Sequence, residues 1–261
     1  MAVISIVSSF ASGLGAPAHA GVVKGTPAVV FYLPLVSAGS DVGETSFGAL
    51  TADSVRFSSG ADIAVIAADE FLPKSFAAGK HTVFELLGAL RNTEDASDTI
   101  VVLKVTGQQL IDAANRSVSH EPVAFPGFLQ VSGMQIVYSV GDGPKAHVLS
   151  AAGQNANVAG GPQPGNGVRA DGRQPESPSI SVEGSLATGK NSVPTTVNPD
   201  QTYTVATTAS LAYGCLGYFR VWSPADIVRR TGITLYQSLT QYFAANPVPD
   251  MLTGGRIVQE E

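Results

Sequence analysis

Strand-like apolar runs alternate with capped helical segments along the chain, and this order restricts the possible folds more than any other feature of the sequence. A β-branched run at Thr99–Val105 leads directly into Thr106–Gln109, which has the spacing of a helix capping box. Thr82–Glu85 has the same spacing and is followed by leucines at helical intervals. Tyr203–Thr207 is another strand-like run. Strands and helices that alternate in this way predict a mixed α and β fold.

The helical period of 3.6 residues and the strand period of two residues predict further elements. Ser223–Asp226, with serine as the cap and proline in the first turn, predicts the start of a helix. The other predictions are helices over Gly43–Ser58, Val83–Leu90 and Thr106–Asn115, a last helix from Thr234, a buried strand over Asp62–Ala68, one long strand over Leu129–Val140 and a strand over Ser179–Val182. We therefore expect an α/β (α+β mixed) domain in which a mixed sheet is flanked by helices.

Charge and cysteine content exclude several classes of protein. Lys and Arg number 15 against 21 Asp and Glu, which gives a formal net charge of −6. No basic stripe is present to neutralise phosphates, so nucleic acid is not an expected partner. The single cysteine, Cys215, excludes an internal disulfide framework and a multi-thiolate zinc site. The four histidines lie far apart in the sequence, and no metal site is predicted.

Residues 1–20 differ from the rest of the chain and predict a secretory signal peptide. They contain no charged residue, carry an apolar stretch over Val3–Leu14 and end in the Ala-x-Ala pattern of Ala18–Ala20. The stretch is too short and too rich in Ser and Gly to span a bilayer. The basic n-region is missing, and the alternative is a disordered leader or a misassigned start. Export to the periplasm or the extracellular space is the expectation.

The rest of the chain, residues 21–261, is predicted to form one domain with one long insertion. Residues 153–178 are rich in glycine and proline and have almost no large apolar side chains. Such a segment buries too little surface to offset its ordering entropy. We therefore predict a flexible inserted loop at residues 153–178.

Motifs that carry chemistry are mostly absent. The sequence has no glycine-rich phosphate loop and no nucleophile elbow. Asp69 and Glu70 form an adjacent acidic pair, and Glu94, Asp95 and Asp98 form a loose cluster. Such carboxylates could serve acid–base chemistry or bind a hard cation, and the alternative, a solvated acidic loop, is the more frequent case.

Several fragments, taken in order, resemble the C-terminal domain of the 5'-nucleotidases. The resemblance covers roughly residues 25 to 257 and rests on fragments that are individually weak but together specific. They are Glu44–Arg56, Gly60–Ala64, Val105–Leu110, Phe128–Gly133 with Val137–Tyr138, Tyr203–Ala206 with Gly214–Tyr218, and Gly255–Ile257. The resemblance implies a hydrolase family of nucleotide catabolism in which this domain recognises the nucleotide.

In that family a separate N-terminal metallophosphatase domain holds two metals and performs the hydrolysis. Its Asp-x-His, Gly-Asp-x-x-Asp and Gly-Asn-His-Glu motifs do not occur in these 261 residues. The resemblance therefore implies no catalytic residues and no cofactor within this stretch, because a two-metal site needs several such ligands close together. Whether the protein is an enzyme stays open, and a separate metallophosphatase chain is a possible partner.

The phosphate-binding position of the family is altered. The family places an arginine beyond the Ala-Asp-Ile-Ala strand, and the corresponding position here is Leu72. Asp69 and Glu70 lie where a cation would be wanted, and we expect them to repel phosphate. Lys74 is the nearest substitute, although a lysine cannot reproduce the bidentate fork of an arginine.

The base and ribose positions are altered as well. The first stacking phenylalanine of the family corresponds to a position within Asp95–Asp98, and the second corresponds to Ser210. The aspartate that would bind ribose is replaced by Leu216. Loss of an aromatic stacking partner costs on the order of 1–3 kcal/mol per base. The resemblance thus implies poor affinity for nucleotides.

Positions that the family uses for its fold are retained, namely Asp53, Asp62, Gly107, Gly133, Gly217 and Tyr218. The candidate cleft residues are Asp69, Glu70, Lys74, Asp98, Ser210 and Tyr218. We expect a degenerate recognition domain that binds an unknown small ligand or a partner and is non-catalytic alone. The alternatives are the recognition half of a split 5'-nucleotidase and an independent enzyme that uses Asp69, Glu70 or Asp98.

Export has a direct test. In a host that secretes the protein, we expect cleavage after Ala20, so that the mature chain begins at Gly21. N-terminal sequencing of the secreted protein measures this, and an intact Met1 contradicts the prediction of a signal peptide.

Overall fold

A computed structural model describes residues 28–91, 98–140, 145–150, 195–249 and 255–260 of the chain. The predicted signal peptide at 1–20, the predicted loop at 153–178 and the predicted strand Ser179–Val182 lie outside these residues. Within the described residues, no helix is both long and apolar enough to cross a membrane.

The elements are numbered in chain order. The strands are β1 (Ala28–Phe31), β2 (Leu35–Val36), β3 (Ile63–Ala67), β4 (Ser75–Phe76), β5 (Gly79–Thr82), β6 (Thr99–Thr106), β7 (Leu129–Ser132), β8 (Met134–Ser139), β9 (Lys145–Ser150), β10 (Thr195–Thr196), β11 (Thr202–Thr208), β12 (Ile227–Thr234) and β13 (Ile257–Gln259). The α-helices are α1 (Ser46–Ser59), α2 (Val83–Leu87), α3 (Gly107–Val118), α4 (Ala209–Ala212) and α5 (Leu235–Ala245).

A mixed five-stranded sheet in the order β12-β6-β11-β3-β7 forms the centre of the fold. β3 and β11 run parallel, with Ile63 opposite Val205, and the other neighbours in this sheet are antiparallel. A second sheet has the order β10-β9-β8-β13, in which β13 runs parallel to β8. Two-stranded ribbons form between β1 and β5 and between β2 and β4.

The hydrophobic core lies on both faces of the central sheet, which β3 shows most clearly. Its five residues, Ile63–Ala67, are all buried. Ile63 and Val65 belong to the cluster formed with α3 and the second sheet, whereas Ala64 and Ile66 belong to the cluster formed with α1, α2 and α5. A strand buried on both faces has a continuous apolar sequence. The predicted class, a mixed sheet flanked by helices, is confirmed.

Two of the predicted elements were wrong. Leu129–Val140 is not one strand, because the backbone turns at Gly133 with φ of 80° and separates β7 from β8, which belong to different sheets. Ser223 does form a capping box with Asp226, but it caps only a 3₁₀ turn at Pro224–Asp226. The chain then continues as β12, where it pairs with β6. Tertiary pairing here overrides a local helix signal.

The capping boxes at Thr82, Thr106 and Thr234 are all present, with each threonine accepting a hydrogen bond from the third helical residue. The helix that begins after Thr82 ends earlier than predicted. Leu90 lies outside α2 and instead forms a β-bridge with Phe71. Local capping therefore fixes where these helices begin, whereas α2 ends where the chain enters a tertiary contact.

A largely buried arginine attaches the last strand to the rest of the protein. The guanidinium of Arg256 donates to both carboxylate oxygens of Asp53 at 2.9 and 2.8 Å and to the carbonyls of Ala49 and Val131. Glu44 accepts a hydrogen bond from the backbone N–H of Arg256 at 2.9 Å. Bidentate pairing of this kind satisfies most donors of the arginine fork. α1, β7 and β13 are joined through this one side chain.

Arg256→Met should lower the free energy of unfolding by about 3–5 kcal/mol, because it leaves two largely buried carboxylates without their cation. Lys80→Met removes an exposed cation on β5 and should change stability by less than about 0.5 kcal/mol. Urea unfolding followed by circular dichroism measures both. Equal stability of the two variants would contradict this role for Arg256.

Candidate functional site

Three segments meet at one edge of the central sheet. Because β3 and β11 are parallel, their carboxyl ends lie at the same edge. β6 runs antiparallel to β11 and begins there, with Ile100 opposite Thr208. The residues that follow β3, follow β11 and precede β6 therefore lie close together, although they are far apart in the sequence.

The segment after β3 is a single 3₁₀ turn over Ala68–Glu70. The N–H groups of Ala68 and Asp69 donate to the carbonyls of Phe128 and Pro126, both at 2.8 Å, which holds the turn against the loop before β7. Within the turn the Asp69 side chain is about half exposed, whereas Glu70 is buried. The sequence pair Asp69-Glu70 thus contains one surface carboxylate and one buried carboxylate.

Asp98 and Ser210 contact each other through two hydrogen bonds. The Ser210 N–H donates to Asp98 Oδ1 at 2.9 Å, and the Ser210 hydroxyl donates to Asp98 Oδ2 at 2.8 Å. The Ser210 hydroxyl also lies 3.1 Å from that of Thr208. Asp98, which directly precedes β6, therefore holds the first turn of α4 in place. The sequence placed both residues in the cleft, and the structure brings them into contact.

Glu70 lies in an environment that disfavours its charge. Burial, together with the nearby negative charge of Asp98, raises the pKa of the Glu70 carboxyl to about 7. A hydrogen bond from Thr208 and the charge of Arg91 oppose this shift, and Asp69 adds to it. Desolvation and like charge act together here. The Glu70 carboxyl is consequently able to gain or lose a proton near neutral pH.

These groups line an open cleft of about 570 Å³. Its polar lining consists of Asp69, Glu70, Asp98 and Ser210, while Tyr213, Cys215 and Leu216 also line it. Among the described residues, no group of three or more His, Cys, Asp or Glu side chains is arranged so that it could hold a metal ion. The cleft is thus an acidic recess with one aromatic side chain, Tyr213.

Two of the six candidate residues lie away from this cleft. Lys74 is exposed, and its backbone pairs with Ser37, whose hydroxyl accepts from the Lys74 N–H at 3.0 Å. Tyr218 is fully buried, donates its hydroxyl to the carbonyl of Gly127 at 2.7 Å and stacks on Trp222. Neither residue lines the cleft. Tyr218 is a core residue, in agreement with the structural role that the family resemblance gives it.

Two residues near the cleft were missed by the sequence analysis. Arg91 donates from Nε to the Asp69 carbonyl at 2.8 Å and lies 3.7 Å from its carboxylate. Tyr213 lines the cleft and immediately precedes the closing motif Gly214–Tyr218. The position of Tyr213 directly before that motif is a feature from which its place at the cleft could have been predicted. No sequence motif marks Arg91.

The retained family positions have structural contacts. Asp62 Oδ2 accepts hydrogen bonds from the Thr204 N–H at 2.9 Å and from its hydroxyl at 2.6 Å, which ties β3 to β11. Gly217 has φ of 87°, and a Cβ there would lie 2.6 Å from the guanidinium of Arg116. That guanidinium donates to the Leu216 carbonyl at 2.7 Å. Retention at these positions is thus explained by packing and hydrogen bonding within the fold.

Glu70→Gln should stabilise the protein at alkaline pH and have little effect in acid. The folded-state pKa is raised from 4.5 to about 7, so the folded protein keeps a proton that the unfolded chain releases. The contribution of the Glu70 carboxyl to the free energy of unfolding therefore falls as pH rises from 4.5 to about 7. The full difference corresponds to about 3 kcal/mol.

Urea unfolding at several pH values between about 5 and 8 measures this difference. Asp112→Asn, which removes an exposed carboxylate on α3, is the matched control and should leave the pH profile of the parent unchanged. A difference between Glu70→Gln and the parent that does not grow with pH would contradict the assigned environment.

Comparisons with known proteins agree with this architecture. The profile of the 5'-nucleotidase C-terminal domain matches residues 22–222. A 5'-nucleotidase precursor from Thermus thermophilus is similar in structure, with a TM-score of 0.64 and 21% identity, over 88% of this chain and 39% of that chain. A Haemophilus influenzae NAD nucleotidase has a TM-score of 0.58 and 12% identity, over 89% of this chain and 38% of that one.

A sulfate thiohydrolase from Thermus thermophilus is also similar, with a TM-score of 0.55 and 12% identity, over 88% of this chain and 34% of that chain. No match was found among curated protein sequences. At these identities the structural likeness establishes the fold alone. This chain spans about two fifths of the length of the first two structures, at 39% and 38%. The family profile, however, covers most of the chain, and the protein therefore belongs to the 5'-nucleotidase C-terminal domain family.

Proposed function

We propose that this protein is a ligand-binding module whose cleft takes a small ligand with a positively charged amine or guanidinium group, and that it does not hydrolyse phosphoesters by itself. The observation that carries this proposal is the convergence of Asp69, Glu70 and Asp98 on one cleft. Their charges make the recess negative, and a recess lined by one sign of charge attracts the opposite sign.

The same groups disfavour a nucleoside monophosphate. A phosphate would have to approach three carboxyl groups, and the nearby cation, Arg91, already donates from Nε to Asp69. Ser210, at the position of the family's second stacking phenylalanine, is hydrogen-bonded to Asp98 and offers no ring. Leu216, at the ribose position, presents an aliphatic side chain to the cleft. The phosphate, the base and the ribose of a nucleotide would thus each meet a side chain that differs from the one the family uses.

An amine would find complementary groups in the same place. Asp69 is partly exposed, Glu70 titrates near neutral pH, and the Tyr213 ring lies at the cleft. A cation close to these carboxylates gains from charge pairing. Binding of a cation should also favour the ionised form of Glu70, so affinity is expected to rise between about pH 6 and pH 8.

Isothermal titration with agmatine tests this proposal, because that molecule carries both an ammonium and a guanidinium group. We expect binding that weakens about tenfold in the Asp69→Asn/Glu70→Gln double variant and weakens as salt is raised. AMP and adenosine should show no micromolar binding. The surface variant Asp112→Asn is the control and should bind as the parent does.

Micromolar affinity for AMP or adenosine would overturn the proposal. Agmatine binding that survives in the double variant would place the ligand elsewhere on the protein and would also count against it.

The alternative is the recognition half of a split 5'-nucleotidase that works with a separate metallophosphatase chain. Its support is that the chain corresponds to 39% of a 5'-nucleotidase precursor. On this alternative, hydrolysis of AMP should appear only when the two chains are mixed, and pull-down should recover a metallophosphatase. Recovery of no such protein counts against it.

A further inference from the structure

A second recess, of about 480 Å³, lies between helix α3 and the 3₁₀ segment Cys215–Arg220. Residues 112, 115 and 116 line it from α3, and they share one face of the helix because positions three and four apart are neighbours there. Gly217, Phe219 and Arg220 line it from the 3₁₀ segment. We call it the α3 recess, and its volume is that of a small-molecule site.

Arg116 is a fixed cation in the α3 recess. Its Nε and Nη2 donate to the Leu216 carbonyl at 3.0 and 2.7 Å, and its guanidinium carbon lies 4.5 Å from the centre of the Phe125 ring. The guanidinium has five N–H donors, of which the bonds to Leu216 and to the Ser119 hydroxyl use three. An anion that binds the remaining donors does not have to order a flexible side chain.

The positive charge of this recess is not neutralised within the described part of the chain. There, the arginines that form ion pairs are Arg91 and Arg256, neither of which lines the recess. Asp112 is the one carboxylate in the described lining, and it accepts a hydrogen bond from Gln108 at 2.9 Å. Two guanidinium groups and one carboxylate leave one positive charge in excess, which favours a singly charged anion.

Phe219 gives the α3 recess an aromatic wall. Its ring is 66% exposed, and the Arg220 guanidinium carbon lies 5.6 Å from the ring centre. The Phe219 N–H donates to the Gly214 carbonyl at 3.1 Å, which holds the backbone below the ring in place. A second ring packed on Phe219 would remove apolar surface from water. The recess thus combines cations for an acidic group with a face for an aromatic group.

We propose that the α3 recess binds a small aromatic monocarboxylate, with its carboxylate paired to Arg116 and Arg220 and its ring packed on Phe219. A carboxylate matches the planar donor fork of arginine. A phosphate monoester is disfavoured, because its second negative charge exceeds the one positive charge in excess and meets Asp112. The proposal does not rest on the ligand of the acidic cleft, since none of the described residues lines both sites.

Titration with phenylacetate at pH 8, followed by ¹H–¹⁵N NMR spectra of the whole protein, tests this inference. We expect saturable shifts centred on the amides of Gly217, Phe219 and Arg220, with a Kd below about 1 mM that rises as salt is added. Arg220→Gln should weaken binding at least about tenfold, because it removes a charged hydrogen-bond donor. Phe219→Ala should weaken binding at any salt concentration, because it removes the apolar contact.

Two further ligands test the charge requirement with the ring kept the same. Benzylamine carries the opposite charge and should not bind in the α3 recess. Phenyl phosphate carries nearly two negative charges at pH 8 and should bind at least about tenfold more weakly than phenylacetate.

Arg230→Gln is the matched control. The Arg230 guanidinium carbon also lies 5.6 Å from the centre of an aromatic ring, that of Tyr213, but Arg230 does not line the α3 recess. This variant should bind phenylacetate as the parent does. Asp69→Asn/Glu70→Gln should also bind it normally, so that failure of the cleft proposal and failure of this one are distinguishable. Circular dichroism and thermal unfolding establish that each variant is folded.

Three results would overturn the inference. They are the absence of saturable shifts at about 1 mM phenylacetate, an equal loss of binding in Arg230→Gln and Arg220→Gln, and tighter binding of phenyl phosphate than of phenylacetate.

Discussion

The parallel pairing of β3 with β11 is the constraint on which the site depends. Had these strands been antiparallel, the turn after β3 and helix α4 would lie at opposite edges of the sheet. Their register, with Ile63 opposite Val205, is reinforced by Asp62, which accepts two hydrogen bonds from Thr204. A one-residue shift of β3 would also exchange Ile63 and Val65 on one buried face with Ala64 and Ile66 on the other, which differ in size.

Charged side chains have oppositely charged partners in the scaffold, whereas at the cleft like charges lie close together. The Arg256 guanidinium pairs with both carboxylate oxygens of Asp53 and donates to two backbone carbonyls, so its charge is compensated within the fold. Glu70 is also buried, but the nearby charge that shifts its pKa most strongly is another carboxylate, Asp98. Scaffold charges thus stabilise the protein, whereas the cleft charges retain an unfavourable arrangement that a bound cation would relieve. Perturbed groups in clefts are frequent at functional sites.

How much of the site could be read from the sequence depends on the kind of contact. The family resemblance points to Asp98 and Ser210, and these residues are hydrogen-bonded partners in the structure. Lys74 lies near Leu72 in the chain, yet its backbone pairs with Ser37 and its exposed side chain does not line the cleft. Arg91 is 22 residues from Asp69 and carries no motif, so only the folded chain reveals their contact. Proximity in sequence is a poor guide where a strand end and a loop meet.

The sequence by itself determined the buried strands, the starts of the capped helices and the family, because these depend on side-chain periodicity, on local hydrogen bonds and on short ordered fragments. The capping box at Thr106 is an example, since its partner Gln109 lies within the first turn of the same helix. Tertiary structure decided the break at Gly133, the fate of the segment after Ser223 and the grouping of carboxyl groups in one cleft. Those features depend on which distant strands pair, and pairing is set by the combined burial of the whole sheet rather than by any local preference.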